Sequence, residues 1–451
     1  MSGLRGAMFT TPEMAEVFED RAFVQRMLDF EAALARAQAR AGLLDVSAAD
    51  AIARGCRADL FDLPALFKEA AESATPVVPL VRQLIAIVDE GARPFVHWGA
   101  TSQDAIDTAL MLQMRDGLDL LSRRLFDVAS ACAALADRHR GTVMAGRTLL
   151  QHAVPITFGL KAARWLGLAV RLLRRLASVR RDALAVQLGG AAGTLAPYGD
   201  AGLKIATLLG EDLGLPVPEG PWHTERDRVA EIASAVGTVA GAMGKIATDL
   251  ALLSQTEVGE VSTGAGEVKG RSSTMPHKRN PVEATAAVAC ARLAIAQVSV
   301  ILASSIQEHE RSAGAWQAEW EAIPQLFRLT AGALEWVHRA LTNLQVDAER
   351  MRTNLDATGG TIMAEALTMA LARTLGRPEA YRVVQRITDR AVASGIALAD
   401  AALVDERVRK VLSPDKLAAA LDVSGYLGSA GAIIDRALAA FRSLQKQEAP
   451  R

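Results

Sequence analysis

Three scarcities frame this chain. Cysteine occurs only at Cys56, Cys132 and Cys290, an odd number, widely spaced and without a Cys-x-x-Cys pair, which excludes a disulfide framework and a structural zinc site and predicts a reduced, cytoplasmic protein. Surplus charge is missing too: 50 Lys and Arg stand against 51 Asp and Glu, a formal net charge of -1. No basic field is left over for nucleic acid or an anionic membrane, so any anion site has to be a local cluster. Aromatic residues reach only 4% and β-branched runs are scarce, which leaves a composition rich in Ala and Leu and suited to helix. The first residues, MSGLRGAMFTTPEM, lack the apolar stretch of a signal peptide. The most apolar run, 284–304, is interrupted by Arg292 and Gln297 and reads as a buried bundle helix rather than a membrane span.

Helical periodicity is what the chain has in abundance. Thr11, Pro12 and Glu13 form a helix start, with a hydroxyl cap, proline in the first turn and an acid facing the helix dipole. That helix is predicted to run to about Gly42, and 47–90 holds shorter pieces broken at Pro64, Pro76 and Pro79. Over 105–139, apolar residues from Leu110 through Leu118 and Leu125 to Leu135 recur in steps of three and four, one continuous stripe. Val229 to Leu253 repeat the pattern, and 155–188, 282–312 and 324–344 give three more long helices. Five such stripes need one another, so the expected fold is all-α with a central five-helix bundle. At 451 residues several domains fit: an N-terminal helical domain at 1–102, the bundle at 103–350 and a C-terminal helical domain at 351–451. The apolar faces are numerous enough to predict a homo-oligomer.

One segment breaks the helical pattern with purpose. Gly259 to Pro281, GEVSTGAGEVKGRSSTMPHKRNP, has four Gly and two Pro and must be an irregular loop. It sets Arg271, Ser272, Ser273, His277, Lys278 and Asn280 between two strongly helical runs, and loops carried by rigid elements are where chemistry usually sits. A solvated connector with exposed basic residues is the alternative reading. A second island, His97-Trp98-Gly99-Ala100-Thr101-Ser102-Gln103-Asp104, places the Thr101 and Ser102 hydroxyls and free N–H groups at a helix start. It reads either as an ordinary N-cap or as an anion site.

SSTMPHKRNP resembles the signature Gly-Ser-Ser-x-Met-Pro-x-Lys-x-Asn-Pro of the fumarase/aspartase superfamily, with Met275, Pro276, Lys278, Asn280 and Pro281 in register. Arg271 stands where the pattern has Gly, and Gly270 lies one step earlier. The 97–104 island is similar to the superfamily's carboxylate-binding His-x-Gly-x-Thr-Ser-x-Asp segment. Gly146-Arg147-Thr148-Leu149-Leu150-Gln151-His152 resembles its Gly-Arg-Thr-His-x-Gln segment, except that Leu149 occupies the histidine position. His152 is then either a substitute or a cap before Pro155. Arg226-Asp227-Arg228 resembles a further element, and a charge cluster at a helix start explains it nearly as well.

The superfamily reaction makes or breaks a bond β to a carboxylate through a carbanion whose charge spreads into that carboxylate. The resemblance implies Ser272 as the group that moves the α-proton, its pKa lowered by nearby charge and loop N–H groups. It implies Lys278, Asn280, Thr101 and Ser102 as the carboxylate's partners, with His97, Arg147, Thr148, Gln151, Ser273, Met275, Arg311 and Trp320 completing the pocket and His152 as a further catalytic candidate. Departures narrow the substrate. Trp320, Met8-Phe9 and Thr75 stand where adenylosuccinate lyase carries nucleotide-binding residues, and Leu149 cannot protonate a departing amine or hydroxide. A carboxylate, with a pKa near about 4, needs no proton to leave. The chain as a whole therefore resembles the muconate-cycloisomerizing branch. That implies lactonisation of 3-carboxy-cis,cis-muconate without metal or organic cofactor, a tricarboxylate ligand, and a homotetramer whose sites draw on three subunits. Adenylosuccinate cleavage is the alternative, and a non-catalytic helical oligomer of the same fold a second.

Overall fold

The computed structural model describes residues 6–263 and 270–448, so 264–269 of the expected 259–281 loop lie outside the described residues. The chain forms two compact units, each drawn from three stretches of sequence. One comprises Met1–Leu125, Leu172–Lys245 and Ala286–Trp336, the other Phe126–Arg171, Ile246–Thr285 and Val337–Arg451.

The all-α expectation holds, and the long helices are Ser102–Arg138, Phe158–Asp182, Asp227–Leu253, Val282–Ala303 and Ala315–Thr342. Along the stripe, Leu110, Met114, Leu118, Leu121, Leu125, Val128, Cys132 and Leu135 are all at most 5% exposed, as a continuous core-facing seam requires. In the first unit, glycines set how closely the helices approach. A Cβ added at Gly237 would lie 2.4 Å from Val298, one at Gly244 2.9 Å from Ala291, and one at Gly117 2.6 Å from Phe327. Such backbone-to-side-chain packing has no room for a methyl group.

Thr11 caps Pro12–Val17, its hydroxyl accepting from the Met14 N–H. The helix read as continuous to Gly42 is in fact two, because the chain turns at Phe18–Glu19 before Asp20–Ala41. Gly42 then closes it in the left-handed conformation, φ 88°. Pro64 and Pro79 sit in the first turns of Leu63–Ser73 and Val77–Ile87 and start those helices rather than break them.

Two short antiparallel pairs in the second unit depart from the helical reading. Strands β1, Val143–Thr148, and β2, Gln151–Thr157, form a hairpin, so the expected helix over 155–188 begins only at Phe158. Strand β3, Val261–Thr263, lies within the expected loop and pairs with β4, Leu344–Val346. Asp227–Leu253 and Val282–Ala303 are each long and apolar enough to cross a membrane, but the apolar window of the first is 56% buried inside the protein and that of the second 28%. On the second helix Leu293, Ile295, Val300 and Leu302 remain exposed.

Candidate active site

In the first unit the 97–104 island is built around one carboxylate. Thr101 precedes the Ser102–Arg138 helix, and Asp104, three residues on, reaches back so that its Oδ2 accepts from the Thr101 N–H at 3.0 Å. This is the returning half of a capping box. Asp104 is fully buried and takes three more donors: the N–H of Gly189 and of Gly190 at 2.9 Å each, and His223 Nε2 at 2.8 Å. A carboxylate so saturated fixes the helix start against the 189–190 turn. Arg311 completes the cluster, donating to Thr101 Oγ1 at 2.8 Å and to the Ala191 carbonyl at 3.1 Å, while its Nε is buried without a partner among the described residues. Ser102 begins the helix and is half-buried.

One turn further along, Asp107 anchors a second buried network. Arg226 donates to Asp107 at 2.8 and 3.1 Å and to Glu319 at 2.5 and 3.2 Å, and Trp316 Nε1 reaches Asp107 at 2.9 Å. Burial disfavours the charged guanidinium, but the two acids hold its pKa above the ordinary value. Burial pushes Glu319 upward, against the pull of Arg226. Arg226 is thus a buried ion bridge between Asp107 and Glu319. Trp320 packs edge-on against Trp316, with centroids 4.8 Å apart, and its indole N–H has no partner among the described residues.

His97 donates or accepts through Nδ1 at 2.6 Å from Glu31 Oε1. Burial works against a charged ring, yet the Glu31 carboxylate, with a smaller push from Asp104, raises the imidazole above its usual pKa.

In the second unit, β1 and β2 present Arg147 opposite His152 and Thr148 opposite Gln151. Both terminal nitrogens of Arg147 donate to the fully buried Glu260, at 2.6 and 2.9 Å, and one of them also to the Ala145 carbonyl. Asn354 donates to the same carboxylate at 2.9 Å and to the Val258 carbonyl at 2.7 Å, and Arg350 donates to the Glu257 and Val258 carbonyls at 3.0 Å. The root of the signature loop is therefore fastened from two sides. Burial and then Arg147 lower the His152 pKa, Glu260 opposing, which favours the neutral ring. Leu149 and Leu150 form the two-residue tip, at φ 49° and 65°, 96% and 73% exposed.

Over 270–281 the loop closes on itself through a bridge between Arg271 and Arg279, with the Asn280 N–H bonded to the Gly270 carbonyl at 2.8 Å. Gly270 has φ 71°, and a Cβ there would meet the Asn280 carbonyl oxygen at 2.6 Å. The turn's glycine requirement thus falls on 270, and Arg271 is free to be arginine. Ser272 Oγ accepts from the Met275 N–H at 3.1 Å and the Thr274 N–H at 3.3 Å. Two donors aimed at one hydroxyl oxygen favour its anionic form. Ser273, Met275 and Lys278 are exposed, Asn280 half-buried.

The structure thus groups His97, Thr101, Ser102, Arg311 and Trp320 in the first unit and the other nine candidates in the second. Sequence reasoning missed Glu31, His223 and Glu260, and quoted Asp104 only as the end of the 97–104 island. Asp104 carried a signal, an acid three residues after a capping threonine. Glu31, an acid on the apolar face of Asp20–Ala41, carried another.

Comparison with known proteins is consistent along the chain. The Lyase family model matches residues 7–298, and the model described as adenylosuccinate lyase C-terminus matches 360–437. The chain is 48% identical to a 3-carboxy-cis,cis-muconate cycloisomerase of Bradyrhizobium diazoefficiens, over 97% of this chain and 98% of that one. It is 42% identical to nitrosuccinate lyase of Streptomyces davaonensis, over 95% and 92%. The crystal structure of 3-carboxy-cis,cis-muconate lactonizing enzyme from Pseudomonas putida matches with a TM-score of 0.91 at 43% identity, covering 98% of this chain and 99% of that one.

Proposed function

Because the chain belongs to the Lyase family of the fumarase/aspartase superfamily, we propose that it converts 3-carboxy-cis,cis-muconate to 4-carboxymuconolactone, a step of protocatechuate breakdown in the β-ketoadipate pathway. The observation that carries this reading at the site is Leu149, an exposed leucine on a hairpin tip where the superfamily places a histidine. No imidazole stands there to protonate a departing amine or hydroxide. Internal addition of a carboxylate asks for none: its oxygen bonds to one carbon of the double bond, and a single proton goes to the neighbouring carbon. The 48% identity to a cycloisomerase over nearly the whole chain supports the same reaction.

Ser272 delivers the proton in this reading. Lys278 and Asn280 are assigned to the carboxylate into which the carbanion's charge spreads, and Thr101 and Ser102, at a helix N-terminus, to carboxylate binding. Arg311 and His97 supply cationic contacts to the remaining carboxylates, and His152, neutral, is a hydrogen-bonding partner. Arg147 acts through Glu260 by holding the loop root. The division into 1–102, 103–350 and 351–451 and a cytoplasmic homotetramer sharing its sites among subunits belong to the same reading; the exposed Leu293, Ile295, Val300 and Leu302 support assembly.

The test is turnover of purified protein on 3-carboxymuconate, followed by loss of the conjugated diene's ultraviolet absorbance. Adenylosuccinate and nitrosuccinate are assayed in parallel. Consumption of the muconate alone is expected; an enzyme inert toward it but active on either of the others overturns the assignment.

A further inference from the structure

The His97 turn is held in a conformation that costs energy, and one helix face supplies two of the side chains that hold it. His97 has φ 56° and Gly99 φ 79°, both left-handed, which is unfavourable for histidine. A Cβ on Gly99 would stand 2.5 Å from the Tyr198 ring, so the turn lies directly against that residue. The Trp98 carbonyl between them accepts from Gln38 Nε2 at 2.8 Å and from the Tyr198 hydroxyl at 3.0 Å. Gln38 and Glu31 are seven residues apart on Asp20–Ala41, two turns along one face, and both are at most 1% exposed. Glu31 gives one oxygen to His97 Nδ1 at 2.6 Å, while its other oxygen, Oε2, is buried with no partner among the described residues. A buried carboxylate is expensive unless its charge is paired. Among the described residues its hydrogen-bond partner is the imidazole, whose side chain remains 17% accessible and whose Nε2 has no partner there.

We propose that Glu31 is a positioning residue for the reaction assigned above: its buried carboxylate fixes the His97 ring through Nδ1 and keeps it an imidazolium, so that Nε2 is a standing cationic donor for one carboxylate of the substrate. The inference rests on that functional reading for the identity of the anion and on the geometry alone for the dyad. The groups that bear on the ring's charge are Glu31 from Asp20–Ala41, Asp104 from Ser102–Arg138, and, through Asp104 and Thr101, His223 and Arg311; Tyr198 faces the same turn. The two acids favour the cation, and His223 and Arg311 are each engaged by another partner. A histidine stabilised in this way stays charged as pH rises past the ordinary imidazole value of about 6.5. Removing the acid moves the loss of charge to lower pH.

The experiment uses the full chain labelled at histidine Cε1, with the His97 resonance assigned by its disappearance in His97→Asn. Its NMR titration midpoint in the unaltered protein is expected above about 6.5; a midpoint at or below that value overturns the dyad without any variant being made. In Glu31→Gln, which keeps the size and the acceptor oxygen, the midpoint is expected to fall by about one unit, a tenfold loss of proton affinity. KM for 3-carboxymuconate at pH 8 should rise about tenfold with kcat within about threefold, the KM difference closing as pH falls. A lowered midpoint with unchanged KM removes the substrate contact, and an unchanged midpoint removes Glu31 from the account. If the unaltered protein does not turn over 3-carboxymuconate, the functional reading fails while the His97 midpoint still decides the dyad.

Discussion

Replacing Leu149 by Asn and Leu150 by Gly relieves a hairpin tip that pays for its shape. Thr148 pairs with Gln151 and both intervening residues have positive φ, the geometry of a two-residue type I′ turn, for which Asn-Gly is the favoured sequence. A side chain in the left-handed region costs about 1–2 kcal/mol per residue, so the two leucines together carry about 2–4 kcal/mol. They recover almost nothing by burial, at 96% and 73% exposed; from about 1.5–3 kcal/mol for a fully buried leucine, the loss on removing both is below about 1 kcal/mol. Glycine gives back up to about 1 kcal/mol through the freer unfolded chain. The net gain is about 1–2 kcal/mol. Spread over a cooperative unfolding of the whole chain this moves Tm by only about 1–2 °C, so the sensitive readout is amide hydrogen exchange across β1 and β2. Opening of the hairpin should become about 5–30 times rarer in the double variant. Unchanged or faster exchange refutes the claim that the tip is strained.

Ser272→Ala should abolish lactonisation with the thermal transition unmoved, because among the described residues the hydroxyl bonds only to two N–H groups of its own turn; residual turnover near the original rate removes serine from the mechanism. Leu149→His should not raise muconate turnover, since the departing or attacking carboxylate needs no proton, and a faster enzyme would contradict that logic. Asp104→Asn sets an amide N–H₂ against the donors that meet the carboxylate and should destabilise the fold by about 3–5 kcal/mol, read from the denaturant midpoint. Arg147→Met leaves Glu260 buried with Asn354 as its remaining side-chain donor and should cost a similar amount, about 3–5 kcal/mol; a loss below 1 kcal/mol would show that pair to be dispensable.

The long helices were legible because a seam such as Leu110 to Leu135 repeats with the helical period and nothing competes with it. Thr11 was legible because capping is local chemistry. The β1–β2 hairpin was not, since its turn residues are two leucines where asparagine or glycine would announce a turn. Nor was β3, whose partner β4 lies some 80 residues away and is invisible to any local pattern. The signature loop showed its candidate serine and lysine plainly. What the sequence concealed were the acids behind the site: Glu31 looks like an interruption of an apolar face, and Glu260 like one more loop acid, until the fold supplies His97 and Arg147.

The fastening of the loop root has a consequence for anyone recombining this scaffold. Arg350 and Asn354 belong by sequence to the Ala348–Asp356 helix, yet they grip the carbonyls of Glu257 and Val258 and the carboxylate of Glu260. A chimera that takes its bundle from one parent and its tail from another, joined near residue 347, would inherit the two halves of this clasp from different ancestors. Crossovers placed after Asp356 keep the clasp whole, and libraries built with that junction should retain far more active members than those cut ten residues earlier.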